Sequence, residues 1–294
     1  MKIAVCISGL MQHWDITHKL FKYWNEIYDD VDFVFFLSTW ENDASFTSYE
    51  NTKWYKNKKK ETRDINIDLP QYSFLEDVEV LSTNVIPQNI IDVHGHTGPY
   101  YAYQLWNVQK MRNKYEERVG EKFDVVVQTR EDMIIFRSTV DQIEKWYNIK
   151  QIVSGMFFTT SGTKVVSPRG NKGGFSFSIP NDSFSFAHPD AMDEYAQMYN
   201  DCYVEKTNSE TFPHFMHAQQ LMNKGIYNLK IGNKYHTKVI LTGKRQKRGF
   251  PSDKSLKRLI DEKGVDWIYG GDGVESASHT REMVKNKIVK EYFN

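Results

Sequence analysis

The alternation of apolar and polar positions divides the chain into buried strands, amphipathic helices and long polar stretches. Residues 2–8 (KIAVCIS) form a short run rich in Ile and Val, closed by Gly9. That pattern predicts a buried strand ending in a tight turn. Residues 15–28 have helical spacing, with Leu20, Trp24 and Ile27 on one stripe and Asp15 at the N-cap position. Residues 31–37 (VDFVFFL) are a second apolar run. The chain thus opens as a β-α-β unit whose compact crossover implies parallel strands.

Residues 39–63 break this pattern. They are polar and aromatic, with Lys53, Lys56, Lys58, Lys59 and Lys60 close together, and read as a long excursion. Residues 78–81 predict a third strand. The strongest helical pattern runs from Pro99, a residue suited to a first turn, to Val119. Tyr101, Leu105, Val108, Arg112 and Tyr115 fall on one face of it, and Gly120 follows its end. Residues 123–127 (FDVVV) predict the next buried strand, which runs directly into Gln128-Thr129-Arg130-Glu131-Asp132. The second half is less regular. It predicts helices over 139–147, 189–200 and 209–223, strands over 151–159 and 175–179, a glycine-rich loop over 162–174, and a last helix after Ala277. Early βα units followed by mixed elements predict an α/β fold with a mainly parallel sheet flanked by helices. In such sheets ligands bind beyond the carboxyl ends of the strands. That rule nominates three loops: Ser8 with Gly9, residues 38–42, and residues 128–132.

Composition narrows the chemistry. With 14% aromatic residues in 294, the chain is not of a disordered type. Lys and Arg number 38, equal to Asp and Glu, which removes the simplest argument for a polyanion binder. It leaves room for a local basic face, because residues 244–258 hold seven Lys or Arg against one Asp. Two cysteines, Cys6 and Cys202, make neither a disulfide framework nor an all-cysteine zinc site, and are expected to stay reduced and buried. No apolar stretch approaches bilayer length, and the first residues lack the apolar region of a signal peptide. The expectation is a cytoplasmic protein with no membrane span. The phosphate-loop, dinucleotide, HExxH and GxSxG patterns are absent. His94 with His96, and His214 with His217, lack the partners of a zinc site, and none is expected.

What remains is the charged triplet Arg130-Glu131-Asp132, set between apolar runs. Charges are costly to bury unpaired, so three together suggest a place where the chain surfaces at a site. Carboxylates suit a hard divalent ion, which would neutralise a diphosphate leaving group. The planar fork of Arg130 matches phosphate oxygens directly. A surface turn with a local ion pair fits the same spacing, and on the residues alone both readings stay open.

The order of these segments resembles a group of viral and bacterial glycosyltransferase-like proteins with a GT-A-type nucleotide-sugar-binding fold. Ile3-Ala4-Val5-Cys6-Ile7-Ser8-Gly9 looks like their opening strand and nucleotide-binding turn. Phe36-Leu37-Ser38-Thr39-Trp40 is similar to their second strand, and Tyr100 to Tyr115 with Phe123-Asp124-Val125-Val126 to their long helix and central strand. Arg130-Glu131-Asp132 resembles their Arg-x-Asp element, at the place where such enzymes carry a DxD-like motif. Asn181-Asp182-Ser183-Phe184-Ser185-Phe186-Ala187 looks like their later Asp-x-Phe strand, and Ser209-Glu210 like the acidic position ahead of a helix. The chain departs from them at Gln128, where Arg is common, and at Arg130, which stands in place of the first Asp of a strict DxD.

The resemblance implies a GT-A-like (Rossmann-like) catalytic domain over residues 1–231, with an irregular basic extension over 232–294 packed on it. It implies a nucleotide-sugar as co-substrate, gripped at Ser8 and Gly9, with Trp40 lining the donor pocket. Arg130 and Asp132 would stabilise the diphosphate, with Mn²⁺ or Mg²⁺ bound at Asp132. An inverting transfer also needs a carboxylate base near the acceptor hydroxyl; Asp182 is the first candidate and Glu210 the second. Each of these residues has a plainer reading as well: core packing for Trp40, an Asn-Asp turn for Asp182, and a first-turn helix acid for Glu210. The acceptor is either a glycan or a hydroxymethylated base in phage-type DNA. For DNA, Lys244, Arg245, Lys247 and Arg248 would contact phosphates. A nucleotidyltransferase, using residues 170–174 to cradle phosphates, and a non-catalytic glycan-binding protein of the same fold are the alternatives.

Overall fold

The computed structural model describes residues 1–9, 11, 14–41, 72–94, 97–131, 133–135, 140, 143, 150, 152–154, 184–205, 213–230 and 238–240. In chain order the strands are β1 (Lys2–Gly9), β2 (Asp32–Trp40), β3 (Leu75–Leu81), β4 (Val125–Arg130), β5 (Met133–Ile135), β6 (Ile152–Ser154), β7 (Phe184–Ala187), β8 (Asn228–Lys230) and β9 (Lys238–Ile240). The helices are α1 (Trp14–Ile27), α2 (Gln88–His94), α3 (Thr97–Val119), α4 (Pro189–Ala196) and α5 (Pro213–Asn223), with a π-helical turn at Asn200–Val204.

Seven strands form one sheet in the order β3-β2-β1-β4-β7-β6-β8, and β5 pairs with β9 in a separate ribbon. The pairs β1–β2, β1–β4, β2–β3 and β6–β8 are parallel, and only β7 runs against its neighbours. From β1 the chain builds outward through β2 to β3, then returns to place β4 on the other side of β1. The opening β-α-β unit is parallel, as its pattern predicts.

The central strands are buried on both faces, which is why they read as continuous apolar runs. One face carries Ile3, Val5, Ile7, Phe33, Phe35, Leu37, Val125 and Val127, packed against Trp14, Leu20, Phe21 and Trp24 of α1. The other carries Ala4, Cys6, Phe36 and Val126, packed against Leu105, Val108 and Met111 of α3 and Ala191, Met192 and Tyr195 of α4. A third cluster joins Trp40, Tyr100, Met198, Tyr199 and Tyr203 beyond the end of β2. Among the described residues no helix is long and apolar enough to cross a membrane.

Several boundaries differ from the sequence pattern, each for a visible reason. The helix α1 starts at Trp14, not at a cap on Asp15, because the Trp14 ring is already core, stacked near Phe74 and edge-on to Tyr72. Pro99 is the third residue of α3, still within the first turn, where a missing N–H leaves no helical bond unmade. Gly120 closes α3 with φ 73° and donates its N–H to the Glu116 carbonyl at 2.9 Å, the left-handed cap that glycine favours. The strands β2 and β4 extend to Trp40 and Arg130, so residues 38–40 and 128–130 lie in strands rather than loops. The strand β3 begins at Leu75. The helix expected over 189–200 stops at Ala196 and the chain re-enters helical form as the π turn. What the pattern predicts for residues 42–71, 155–183 and 241–294 lies outside the described residues.

Both cysteines are free and buried, Cys6 under α3 and Cys202 in the π turn. Burial pushes each thiol up to about 12, from an ordinary value near 9.0. The unfolded thiols therefore lose their protons first, and stability falls as the pH rises from about 9 towards about 12. Iodoacetamide at pH 8.5 is expected to label neither cysteine until denaturant is added. The Cys6→Ala, Cys202→Ala variant should show a flatter decline of urea midpoint above pH 9. Rapid labelling of the native protein would overturn this.

Candidate functional site

The place where β1 sends β2 to one side and receives β4 on the other is a topological switch point, and in open α/β sheets ligands bind beyond the carboxyl ends of the strands at such a point. The register sets Ser8 opposite Ser38 of β2 and Arg130 of β4, with Gly9 opposite Thr39. The carboxyl ends of these three strands thus meet at one end of the sheet. Polar residues near those ends are closed off from solvent. Ser8 is 4% exposed, and Ser38, Thr39, Gln128 and Thr129 are 0% exposed.

Such a layer is stable only if its polar atoms are satisfied. The helix α3 supplies the partners. Gln104 Nε2 donates to the Gly9 carbonyl at 3.0 Å, and Thr39 Oγ1 donates to the same oxygen at 2.9 Å from the other side. Asn107 Nδ2 donates to Ser38 Oγ at 3.2 Å and to Glu79 Oε2 at 2.9 Å. Gln109 Nε2 donates to Gln128 Oε1 at 3.2 Å, and Gln128 Nε2 donates to Ser8 Oγ at 3.0 Å. Ser8 and Gly9, expected as a turn, are the last residues of strand β1, and the end of that strand is held by bonds from β2, β4 and α3.

Glu131 is buried, 3% exposed, against Gly9. A Cβ on Gly9 would meet Glu131 Cδ at 2.9 Å and its Cγ and Oε2 at 3.0 Å. Glycine is needed here because a carboxylate side chain of β4's end occupies the space a larger residue would take. That burial excludes a purely solvated position for Glu131. Arg130 is partly buried at the end of β4.

No family model matches the chain, and no curated protein matches it.

Ser8, Gly9 and Arg130 come together as the pattern nominates. Trp40 does not present an open face. It is 0% exposed, edge-on to Tyr100 at 4.8 Å and tilted against Tyr103 at 6.2 Å, so it packs the core beyond β2 while its neighbour Thr39 reaches the end of β1. His188 accepts from the Asp190 N–H at 3.3 Å and caps α4. His217 is buried with its Nε2 2.8 Å from the Tyr195 carbonyl oxygen. Asp132, Asp182, Glu210, Lys244, Arg245, Lys247 and Arg248 lie outside the described residues. Among the described residues no group of three or more His, Cys, Asp or Glu is placed to hold a metal ion. Mn²⁺ or Mg²⁺ here would draw on Asp132, with phosphate oxygens of a ligand completing its shell.

Gln128 falls in a nominated segment, but sequence reasoning missed Gln104, Asn107 and Gln109 as parts of this site. The signal lay in α3 itself. These amides interrupt the face that Leu105, Val108 and Met111 bury, and a buried amide needs an assigned partner.

Proposed function

We propose that the protein is a glycosyltransferase that moves a sugar from a nucleotide-sugar donor to a hydroxyl acceptor. The reading rests on one observation. Ser8, Gly9 and Arg130 stand side by side at the switch point of a mainly parallel sheet, where nucleotides bind in open α/β folds. The resemblance to GT-A-type enzymes supports it and assigns the roles.

The end of β1 binds the donor through the Ser8 hydroxyl, and Gly9 leaves room beside it for Glu131, whose side chain lies where a Cβ would be. Arg130 offers a planar cation to the diphosphate, whose charge grows as it leaves, and fixed charges aimed at that position lower the barrier. Asp132, next along the chain, completes this with or without a divalent ion. Asp182 or Glu210 takes the proton of the acceptor hydroxyl as the bond to the anomeric carbon forms. The acceptor is a glycan or a hydroxymethylated DNA base, and for the latter Lys244, Arg245, Lys247 and Arg248 would hold the backbone.

Calorimetry and thermal shift with nucleotide-sugars, with and without Mn²⁺, test the reading. A specific donor should raise the melting temperature with dose, by about 2.7 kcal/mol of added stability at a hundredfold excess over Kd. The wild type should also release nucleoside diphosphate slowly from that donor. Asp132→Ala should lower the release about a hundredfold or more. If no nucleotide-sugar binds in either condition, the reading is wrong.

A further inference from the structure

The hydrogen bonds at the end of β1 have a direction, and a buried arginine sets it. Arg112 is 0% exposed and its Nε lies 3.1 Å from Gln109 Oε1. Arginine carries five donors and no acceptor, so the Gln109 atom facing it must be the oxygen. The Gln109 nitrogen then faces Gln128, at 3.2 Å, and the Gln128 atom it meets must be Oε1. Both Gln128 Nε2 hydrogens are consequently donated, one to Ser8 Oγ at 3.0 Å and one to the Thr129 carbonyl at 3.2 Å. The orientation of a side-chain amide is ordinarily ambiguous between O and N. Here the permanent charge of Arg112 and the carbonyl of Thr129 close that choice at both ends.

Ser8 Oγ is thereby an acceptor towards the protein, and its own hydrogen has no acceptor among the described residues. It lies at the carboxyl end of β1, beside the switch point of the sheet. We propose that Gln128, polarised through Gln109 by Arg112, is a positioning residue that commits Ser8 to donate its hydrogen bond to an oxygen acceptor of the bound nucleotide-sugar or nucleoside diphosphate. This rests on the sugar-transferase reading for the identity of the ligand, though not for the direction of the chain of bonds. It favours a ligand that presents a phosphate, carbonyl or other acceptor oxygen to the one hydrogen of the Ser8 hydroxyl.

The test compares Ser8→Ala, Gln128→Glu and the double variant by calorimetry with UDP, GDP, ADP and CDP in Mn²⁺. Gln128→Glu keeps the shape and the bond from Gln109 but sets a carboxylate oxygen against Ser8, so the hydroxyl turns inward to donate to it. Each single variant should weaken the best diphosphate about tenfold, and the double variant no further. Effects that multiply, or singles that bind like wild type, overturn the proposal and leave the function intact. A second measurement needs no ligand. In the free protein both side-chain amide protons of Gln128 should resist solvent exchange by NMR, and Ser8→Ala should release one of them. Fast exchange of both in the wild type overturns the relay whatever binds. Protected protons together with no binding of any diphosphate to the wild type keep the relay but sink the transferase reading and the ligand assigned to Ser8.

Discussion

Arg112→Met is expected to lower folding stability by about 3–5 kcal/mol, measured by urea unfolding. For a chain of this size that is a fall in melting temperature of roughly 10 °C. Arg112 is fully buried and its guanidinium holds several groups at once. One nitrogen reaches both oxygens of Glu116 at 3.1 Å, another bonds Asp193, and Nε bonds Gln109. The Glu116 side chain is itself 10% exposed. Removing the cation leaves that carboxylate with little water and no counter-charge, and this uncompensated group accounts for most of the loss. Glu116 also accepts from the Phe123 N–H at 3.0 Å, which ties the end of α3 to the approach to β4. Adding Glu116→Gln keeps that bond while removing the charge, and should recover part of the stability. No recovery would show that lost packing, not stranded charge, is the cause. Arg118 pairs with Glu76 in a setting where its side chain is 67% exposed. Arg118→Met should therefore move stability by less than about 0.5 kcal/mol.

The same arginine shows how far the pattern of residues could be read. Arg112 falls on the helical face with Leu105 and Val108, so its inward direction was legible from spacing. Its partner Asp193 was not, because the two are 81 residues apart and meet only when α4 docks on α3. The opening β-α-β unit was legible for a simple reason. Strands buried on both faces are continuous apolar runs, and residues 2–8 and 31–37 are such runs. Their ends were misjudged for the complementary reason. Ser38, Thr39, Gln128 and Thr129 are polar, and polar stretches after strands usually mark loops. Here the strands continue because α3 brings amides to meet them, a fact of tertiary packing. The reversed direction of β7 was not legible, since four residues of Phe and small side chains say nothing of it. The place nominated for a site, in contrast, followed from one rule about parallel sheets. The three nominated segments do converge, while the burial of Trp40 shows that the carboxyl end of a strand is not by itself an open pocket.

Gly9→Ala is expected to destabilise the protein by roughly 1–3 kcal/mol, as overpacking does, and to weaken nucleotide binding at least as much as Ser8→Ala. The new methyl would sit 2.9 Å from Glu131 Cδ and 3.0 Å from Cγ and Oε2, closer than side-chain carbons tolerate. Glu131 is too enclosed to swing aside freely. Relief must come from the backbone, by parting the end of β1 from the end of β4. That movement separates Ser8 from Arg130, which the register holds opposite each other. It also strains the two bonds that grip the Gly9 carbonyl, from Thr39 and Gln104. A double-mutant cycle isolates the contact. Glu131→Ala removes all three atoms that the methyl would meet, so Gly9→Ala should cost less in that background than in the wild type. The expected coupling is about 1 kcal/mol or more in unfolding free energy. Additive costs would show that Gly9 is required for some reason other than the approach of Glu131. Intact ligand binding by Gly9→Ala would show that the spacing between the ends of β1 and β4 does not govern the site.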